Sequence, residues 1–199
     1  MVQIARSAPG DRLNLPLNLM LIDLPMPYDS ASCQNCPYFQ QAHLPPDKCT
    51  DRTDQPVELE CHGSKILIVA EAPGVEEWRV GAPLQSITKR GGTAGARMAQ
   101  SWKRTTKRRE DFDIVNTVQC YPGVSGARDA RPHQLAVCSC SGRLAAILRE
   151  KNYDRVICFG TAATEVVTHL QKIHNFSFEV CSKRHPTGGI TNAELDSAW

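Results

Sequence analysis

Hydrophobic residues fall along this chain in two rhythms. Ile66–Ala70 is an unbroken apolar run, as expected of a parallel strand covered on both faces. Similar short runs at 113–119, 155–159 and 176–181 predict three more strands. Between them the spacing changes to three or four residues. It predicts a helix from Thr93 to about Lys103, one over about 133–150 with Leu135, Leu144, Ile147 and Leu148 on its apolar face, and one over 161–172 with Ala163, Val166, Val167 and Leu170 directed inward. Strands alternating with helices imply an α/β fold: a three-layer αβα sandwich around a central four-stranded, mostly parallel sheet.

Loops predicted at 71–92, 120–132 and 182–189 all leave strand ends, where such sheets bind ligands. They are therefore expected to converge on one site. Residues 1–32 contain Pro9, Pro16, Pro25 and Pro27 with no sustained period, so an extended arm is expected there. Residues 33–64 are rich in Cys, Pro and polar residues and read as turns around a metal. No internal repeat or low-complexity tract interrupts the chain.

At 199 residues the chain suits a single domain over 1–199, with an arm and metal-binding segment at 1–64 and an α/β core at 65–199. Lys plus Arg number 23 against 21 Asp plus Glu, and a net charge of +2 does not choose a partner. Its distribution is more telling. Residues 103–109 read Lys-Arg-Thr-Thr-Lys-Arg-Arg, and Lys183-Arg184 precede His185. Such clusters ordinarily mark a solvated surface; they become phosphate contacts if both lie beside the pocket.

No stretch approaches the roughly 20 apolar residues of a membrane span. The apolar stretch at 15–23 is broken by Pro16, Asn18 and Asp23, and lacks a secretory cleavage pattern. A reducing, cytoplasmic compartment is expected. There nine cysteines favour metal or redox chemistry over structural disulfides. Cys33-Gln-Asn-Cys36 is a CxxC pair of the kind used by four-cysteine zinc sites and by iron–sulfur clusters. Cys49 and Cys61 could close a local zinc knot with it. Cys158 and Cys181, inside predicted strands, read as ordinary buried residues. The pair lies far from any strand–CxxC–helix arrangement, which argues against a redox protein.

Several segments together resemble the family 4, iron–sulfur, uracil-DNA glycosylases. They are Cys33-Gln-Asn-Cys36; Ala70-Glu-Ala-Pro-Gly-Val-Glu-Glu77-Trp-Arg-Val-Gly-Ala-Pro83-Leu84; Val115-Asn-Thr-Val-Gln-Cys120-Tyr-Pro122; Pro132 to Cys140; and His185-Pro186. The resemblance covers about 33–187, with the motifs in family order. It implies a [4Fe–4S] cluster held by Cys33, Cys36, Cys120 and Cys140, with Cys138 as an alternative fourth ligand. The cluster would pin the N-terminal region to the loop beyond the second strand.

The resemblance also implies DNA as partner, with no membrane and no obligate protein partner, and a monomeric enzyme that extrudes a nucleotide and hydrolyses its N-glycosidic bond. His185 would donate to the departing base, Glu71 would position water or organise the pocket, and Glu77 would form the wall next to the base. Asn116 would read the pyrimidine edge, where an amide can both donate and accept. Ala72, Pro73 and Gly74 would let the backbone approach the nucleotide, while Trp78, Leu84 and Gln85 would complete the pocket. Lys183, Arg184, Pro186 and Thr187 would meet DNA.

Four positions depart from the family pattern. Leu84 replaces a phenylalanine that stacks on uracil, a contact worth about 1–3 kcal/mol. Gln85-Ser86 replaces Val-Gly, and Trp78 stands where the family has aspartate. The expected base is therefore a modified pyrimidine, such as a hydroxymethylated or glucosylated cytosine of phage DNA, with an antiphage role. The alternatives are a uracil-DNA glycosylase of base excision repair and a non-catalytic, cluster-bearing DNA-binding module.

Overall fold

The computed structural model describes residues 33–41, 44, 55–85, 92–126 and 128–199. Its elements run β1 (Ile66–Ala70), α1 (Val75–Val80), α2 (Ala94–Arg104), β2 (Asp113–Asn116), a ribbon of β3 (Val124–Ser125) and β4 (Arg128–Asp129), α3 (Gln134–Lys151), β5 (Arg155–Phe159), α4 (Thr161–His174), β6 (Glu179–Lys183) and α5 (Asn192–Asp196). The four long strands pair in parallel in the order β2-β1-β5-β6. Alternation within each strand divides the core. Leu67, Val69, Val115, Val156 and Cys158 pack on α3 and α4, whereas Ile68, Ala70, Ile114, Ile157 and Phe159 pack on α2 and α5. The expected three layers are present, and among the described residues no helix is long and apolar enough to cross a membrane.

The layer beneath α2 positions the site. Trp102, Phe112, Phe159 and Trp199 form an aromatic cluster with ring centroids 5.0–6.0 Å apart. Arg104 grips Asp196 of α5 through two bonds of 2.7 and 2.8 Å, and Ser101 donates to the same carboxylate. Thus fixed, α2 presents its N-terminus at the carboxyl end of the sheet. Thr93 caps that end by accepting from Ala96 N–H at 3.2 Å.

The structure corrects several expectations. The 71–92 loop contains α1, a helix of six residues bounded by Gly74 and a left-handed Gly81. β2 stops at Asn116 instead of residue 119, because the Thr117 and Val118 amides turn back onto the carbonyls of Ala70 and Glu71. The last strand is 179–183 instead of 176–181. Phe176 and Phe178 are committed to α4, through Phe176 N–H on Gln171 O and Gln171 Nε2 on Phe178 O. Leu135 is exposed, since nine residues at 100° each put it on the opposite side of α3 from Leu144. The ribbon and α5 were not anticipated. The expected arm at 1–32 lies outside the described residues, as do Cys49 and Ser86.

Candidate active site

A cleft of about 800 Å³ opens at the carboxyl ends of the strands. Its walls come from residues 70–77, 84–85, 92–94, 121–122, 124, 128–132, 185 and 187. The three loops that the sequence singled out therefore converge. Of the candidate residues, Glu71, Ala72, Pro73, Gly74, Glu77, Leu84, Gln85, His185 and Thr187 all line this cleft.

His185 follows β6 on a loop closed by Gly188 N–H bonding to the His185 carbonyl at 2.7 Å. The imidazole Nδ1 accepts from the backbone N–H of Thr187 at 3.3 Å and lies 2.9 Å from Thr187 Oγ1. A backbone amide can only donate, so this contact favours the tautomer with Nδ1 bare and the proton on Nε2. No described residue takes that N–H. Burial lowers the imidazole pKa below its ordinary value, which keeps the ring neutral. Arg97 of α2 holds the loop from outside: its Nη1 donates to Pro186 O, and its Nη2 to Ile190 O at 2.7 Å and Asn192 Oδ1 at 3.3 Å.

Glu71, at the end of β1, faces His185 across Gly160. A Cβ on Gly160, whose φ is +96°, would lie 3.5 Å from Glu71 Oε2 and 3.9 Å from His185 Cδ2. Only glycine leaves that gap open. Burial raises the Glu71 carboxyl above its usual range, and the nearby Arg131 guanidinium opposes the rise.

Glu77 is 8 % exposed. Its Oε2 accepts from Gly74 N–H at 2.8 Å, and it takes a further bond from the Leu84 backbone. Burial, followed by the charge of Asp129, pushes its carboxyl up to about 7 against those two bonds and the more distant Arg109. Asp129 on β4 accepts from Tyr121 Oη at 3.2 Å. Its own carboxyl is raised by burial and lowered by that bond. Asp129, Tyr121 and the arginines Arg128 and Arg131 also line the cleft, and the sequence reading did not single out any of them. The turn signal Ser125-Gly126 after Val124 could have revealed the ribbon that carries Asp129.

The wall at 83–85 is built under constraint. Leu84 has φ +48°, a conformation costing a non-glycine residue roughly 1–2 kcal/mol, and it is 2 % exposed. Arg109 secures it, donating to Leu84 O at 2.9 Å and to Pro83 O. The same guanidinium pairs with Glu60 at 2.5 and 2.6 Å and lies 5.9 Å from the Trp102 ring centroid. α2 approaches the wall so closely that a Cβ on Gly95 would come within 2.5 Å of Leu84 O. Leu84 is thus held from two sides.

Other candidates lie elsewhere. Trp78 is not a pocket wall: one residue beyond Glu77 it turns inward and packs with Val57 and Tyr121. Pro186 is buried, and its carbonyl accepts from Arg97. Lys183 spends its ammonium on Ser197 Oγ at 2.9 Å, whereas Arg184 is exposed beside the loop. Asn116 sits at the end of β2 opposite Ala70, itself a cleft residue. Both atoms of its amide are buried and have no hydrogen-bond partner among the described residues. Asn116 is buried and does not line the cleft, and it and His185 lie at the carboxyl end of the sheet at opposite edges, one ending β2 and the other following β6.

The cysteines sort themselves. Cys33 and Cys36 close a turn through Cys36 N–H on Cys33 O at 2.9 Å, and Tyr38 anchors that turn by accepting from His133 N–H at 2.6 Å at the start of α3. This brings the pair to Cys120, beyond β2, and Cys140 on α3. Cys120 and Cys140 are pushed up to about 12, first by burial and then by the charges of the other cysteines, with Arg143 opposing. Cys138 is buried and raised by burial, and no other cysteine contributes. Cys61 is exposed and acts on Tyr153 instead, away from any knot with Cys33 and Cys36. Among the described residues no three Cys, His, Asp or Glu side chains converge closely enough to hold a single ion.

No curated protein matches the chain. The family model of the uracil DNA glycosylase superfamily matches residues 57–198, which takes in β1, the whole cleft and the His185 loop and leaves out the CxxC turn. That match covers most of the chain. The chain belongs to the uracil DNA glycosylase superfamily, whose chemistry is hydrolysis of the N-glycosyl bond in DNA.

Proposed function

We propose that this protein is a monofunctional DNA glycosylase of the iron–sulfur type, which takes a modified pyrimidine into its cleft and leaves an abasic site. The observation that carries the reading is the placement of His185 in the cleft, across Gly160 from Glu71, with its Nδ1 turned to the Thr187 amide. As the C1′–N bond breaks, the sugar becomes oxocarbenium-like and the base departs with negative charge. A neutral Nε2–H supplies a donor for that charge, a contribution worth about 3–4 kcal/mol when well aimed. Glu71, across Gly160, supplies the carboxylate that favours the cationic sugar and orients the attacking water. Water adds to C1′, its proton leaves through solvent or Glu71, and the base anion takes up a proton. Among the described residues no lysine lines the cleft.

The orphaned amide of Asn116 is the second support. A buried, unpaired polar group costs about 1–3 kcal/mol, which a flipped pyrimidine would relieve at its donor and acceptor edge. That applies equally to uracil, so excision repair is the competing reading. Leu84 favours a substituted base, because an aliphatic wall forgoes stacking on a small ring. A hydroxymethylated or glucosylated cytosine fits this, and the enzyme would then act against phage genomes carrying it.

Cys33 and Cys36, Cys120 and Cys140 come from three segments, and neighbouring cysteines help to raise the thiols of Cys36, Cys120 and Cys140, as expected of side chains gathered for a cluster. Cys33, Cys36, Cys120 and Cys140 would hold it, and bound there it would staple the N-terminal turn to α3. Anaerobic purification should then yield brown protein with a broad visible absorption band.

Mass spectrometry of free bases released from uracil-containing, plain and phage-modified DNA, with cleavage of the abasic product, tests the function. Release of the modified base supports the proposal. Release of uracil alone selects the repair reading, and DNA binding with no release selects the non-catalytic module.

A further inference from the structure

Past the Leu84–Gln85 wall the surface drops into a second groove of about 490 Å³. Leu84 and Gln85 line both depressions, so a polymer leaving the cleft over this ridge enters the groove directly. Trp102 forms part of its lining, and Lys103, Lys107 and Arg108 bring positive charge to it.

The cations of this region fall into two groups. Arg104 is held bidentately by Asp196, and Arg109 is committed to Glu60 and the loop carbonyls. Both serve the fold. Lys103 and Lys107 form no ion pair among the described residues. Arg108 reaches Asp111 only at 3.5 Å, with 78 % of its side chain exposed. Among the described residues Glu110 is the one acid lining the groove, and it leaves an excess of positive charge. The negative end of the α2 dipole explains a cation at Lys103 but not Lys107 and Arg108, which lie beyond the helix.

We propose that this groove carries the DNA strand flanking the extruded nucleotide, with Lys103, Lys107 and Arg108 on its phosphates. The inference rests on the glycosylase reading of the cleft. A nucleotide held there remains tethered to its neighbours on the strand, and those phosphates must cross the adjoining surface. The groove is the basic surface that shares a wall with the cleft.

The test compares two triple variants of equal charge change. Lys103→Ala/Lys107→Ala/Arg108→Ala removes the groove cations. Arg149→Ala/Lys151→Ala/Lys172→Ala removes three exposed cations from α3 and α4, across the sheet. Affinity for a fluorescein-labelled DNA duplex is read by anisotropy between 50 and 200 mM salt. Each lost phosphate contact lowers the slope of log affinity against log salt by about 0.9. The groove variant should lose about 2.7 from the slope, so its affinity falls about 40-fold less than wild type over that range. The other triple should match wild type both in slope and in single-turnover base release at saturating enzyme. Lys107→Glu, one exposed substitution, should lower the slope by at least about 0.9.

A groove variant with the wild-type slope, or equal losses in the two triples, overturns the proposal while base release stands. A slope that falls as expected in a protein releasing no base from any DNA overturns the glycosylase reading and supports the groove as a DNA surface.

Discussion

The two walls of the cleft are held in the same way and to different ends. Each is a loop whose carbonyls are gripped from behind by an arginine: Arg97 behind the His185 loop, Arg109 behind Leu84. The partners differ. Arg97 binds only neutral oxygens, of Pro186, Ile190 and Asn192. Arg109 also carries a carboxylate, Glu60, and the Trp102 ring. Near a histidine that must stay neutral, a further acid would draw the imidazole toward protonation. Near a leucine forced into a left-handed backbone, a charged anchor costs nothing in chemistry and stiffens the wall.

If that division is right, the His185 wall should report in rate and the Leu84 wall in stability. The largest effect is expected for His185→Ala, which should slow single-turnover base release by about 10²–10³-fold with little change in DNA affinity. Equal loss of affinity would mean that the residue binds DNA instead. Arg97→Ala should follow, at about 10²-fold in rate, since a displacement of the order of 1 Å costs that much. Arg97→Lys should recover part of it, and NMR of the imidazole should show the ring losing its fixed tautomer in Arg97→Ala. An unaltered ring with slow release would separate the arginine from the histidine.

On the other wall, Glu77 is tied to the Leu84 backbone, and its carboxyl stands near 7 instead of 4.5. A raised value means that the folded protein holds the proton more tightly. The resulting stability is fully present below about pH 4.5 and is lost as the pH rises through about 7. Glu77→Gln should therefore gain on wild type by up to about 3 kcal/mol between pH 4.5 and 8, as followed by denaturant unfolding. A constant difference would place the carboxyl at its ordinary value. The smallest effect, about 2 kcal/mol of stability, is expected for Arg109→Met, which strands Glu60 and two carbonyls at a half-buried site. Its rate at saturating DNA should fall by less than that of Arg97→Ala. A larger fall would break the distinction between the walls.

What was legible in the sequence depended on whether the signal was local. β1 and β5 were read to the residue, because an apolar run between polar flanks admits one strand. α1 escaped because six residues between two glycines complete too few turns to show a period, although Glu77 three residues past Gly74 is a capping signal. α5 carried the same signal in Thr191 and Glu194, and it went unread. Glu71 and His185 could be named from motifs. Arg97 and Arg109 could not, since a guanidinium on a carbonyl 89 or 25 residues away leaves no local pattern. Asp129 was hidden for a similar reason: its importance comes from standing beside Glu77 in space. Trp78 was misplaced because its position in the motif fixed its neighbour's orientation and not its own.

The imidazole's proton is assigned by the main chain. Thr187 offers an amide hydrogen to Nδ1 whatever side chain it carries, and its hydroxyl merely accompanies that bond. Serine, valine or alanine at 187 would leave the same nitrogen loaded. Proline, which has no such hydrogen, would free the ring to exchange its two neutral forms, and a single imino acid would thereby blunt the enzyme without touching the histidine.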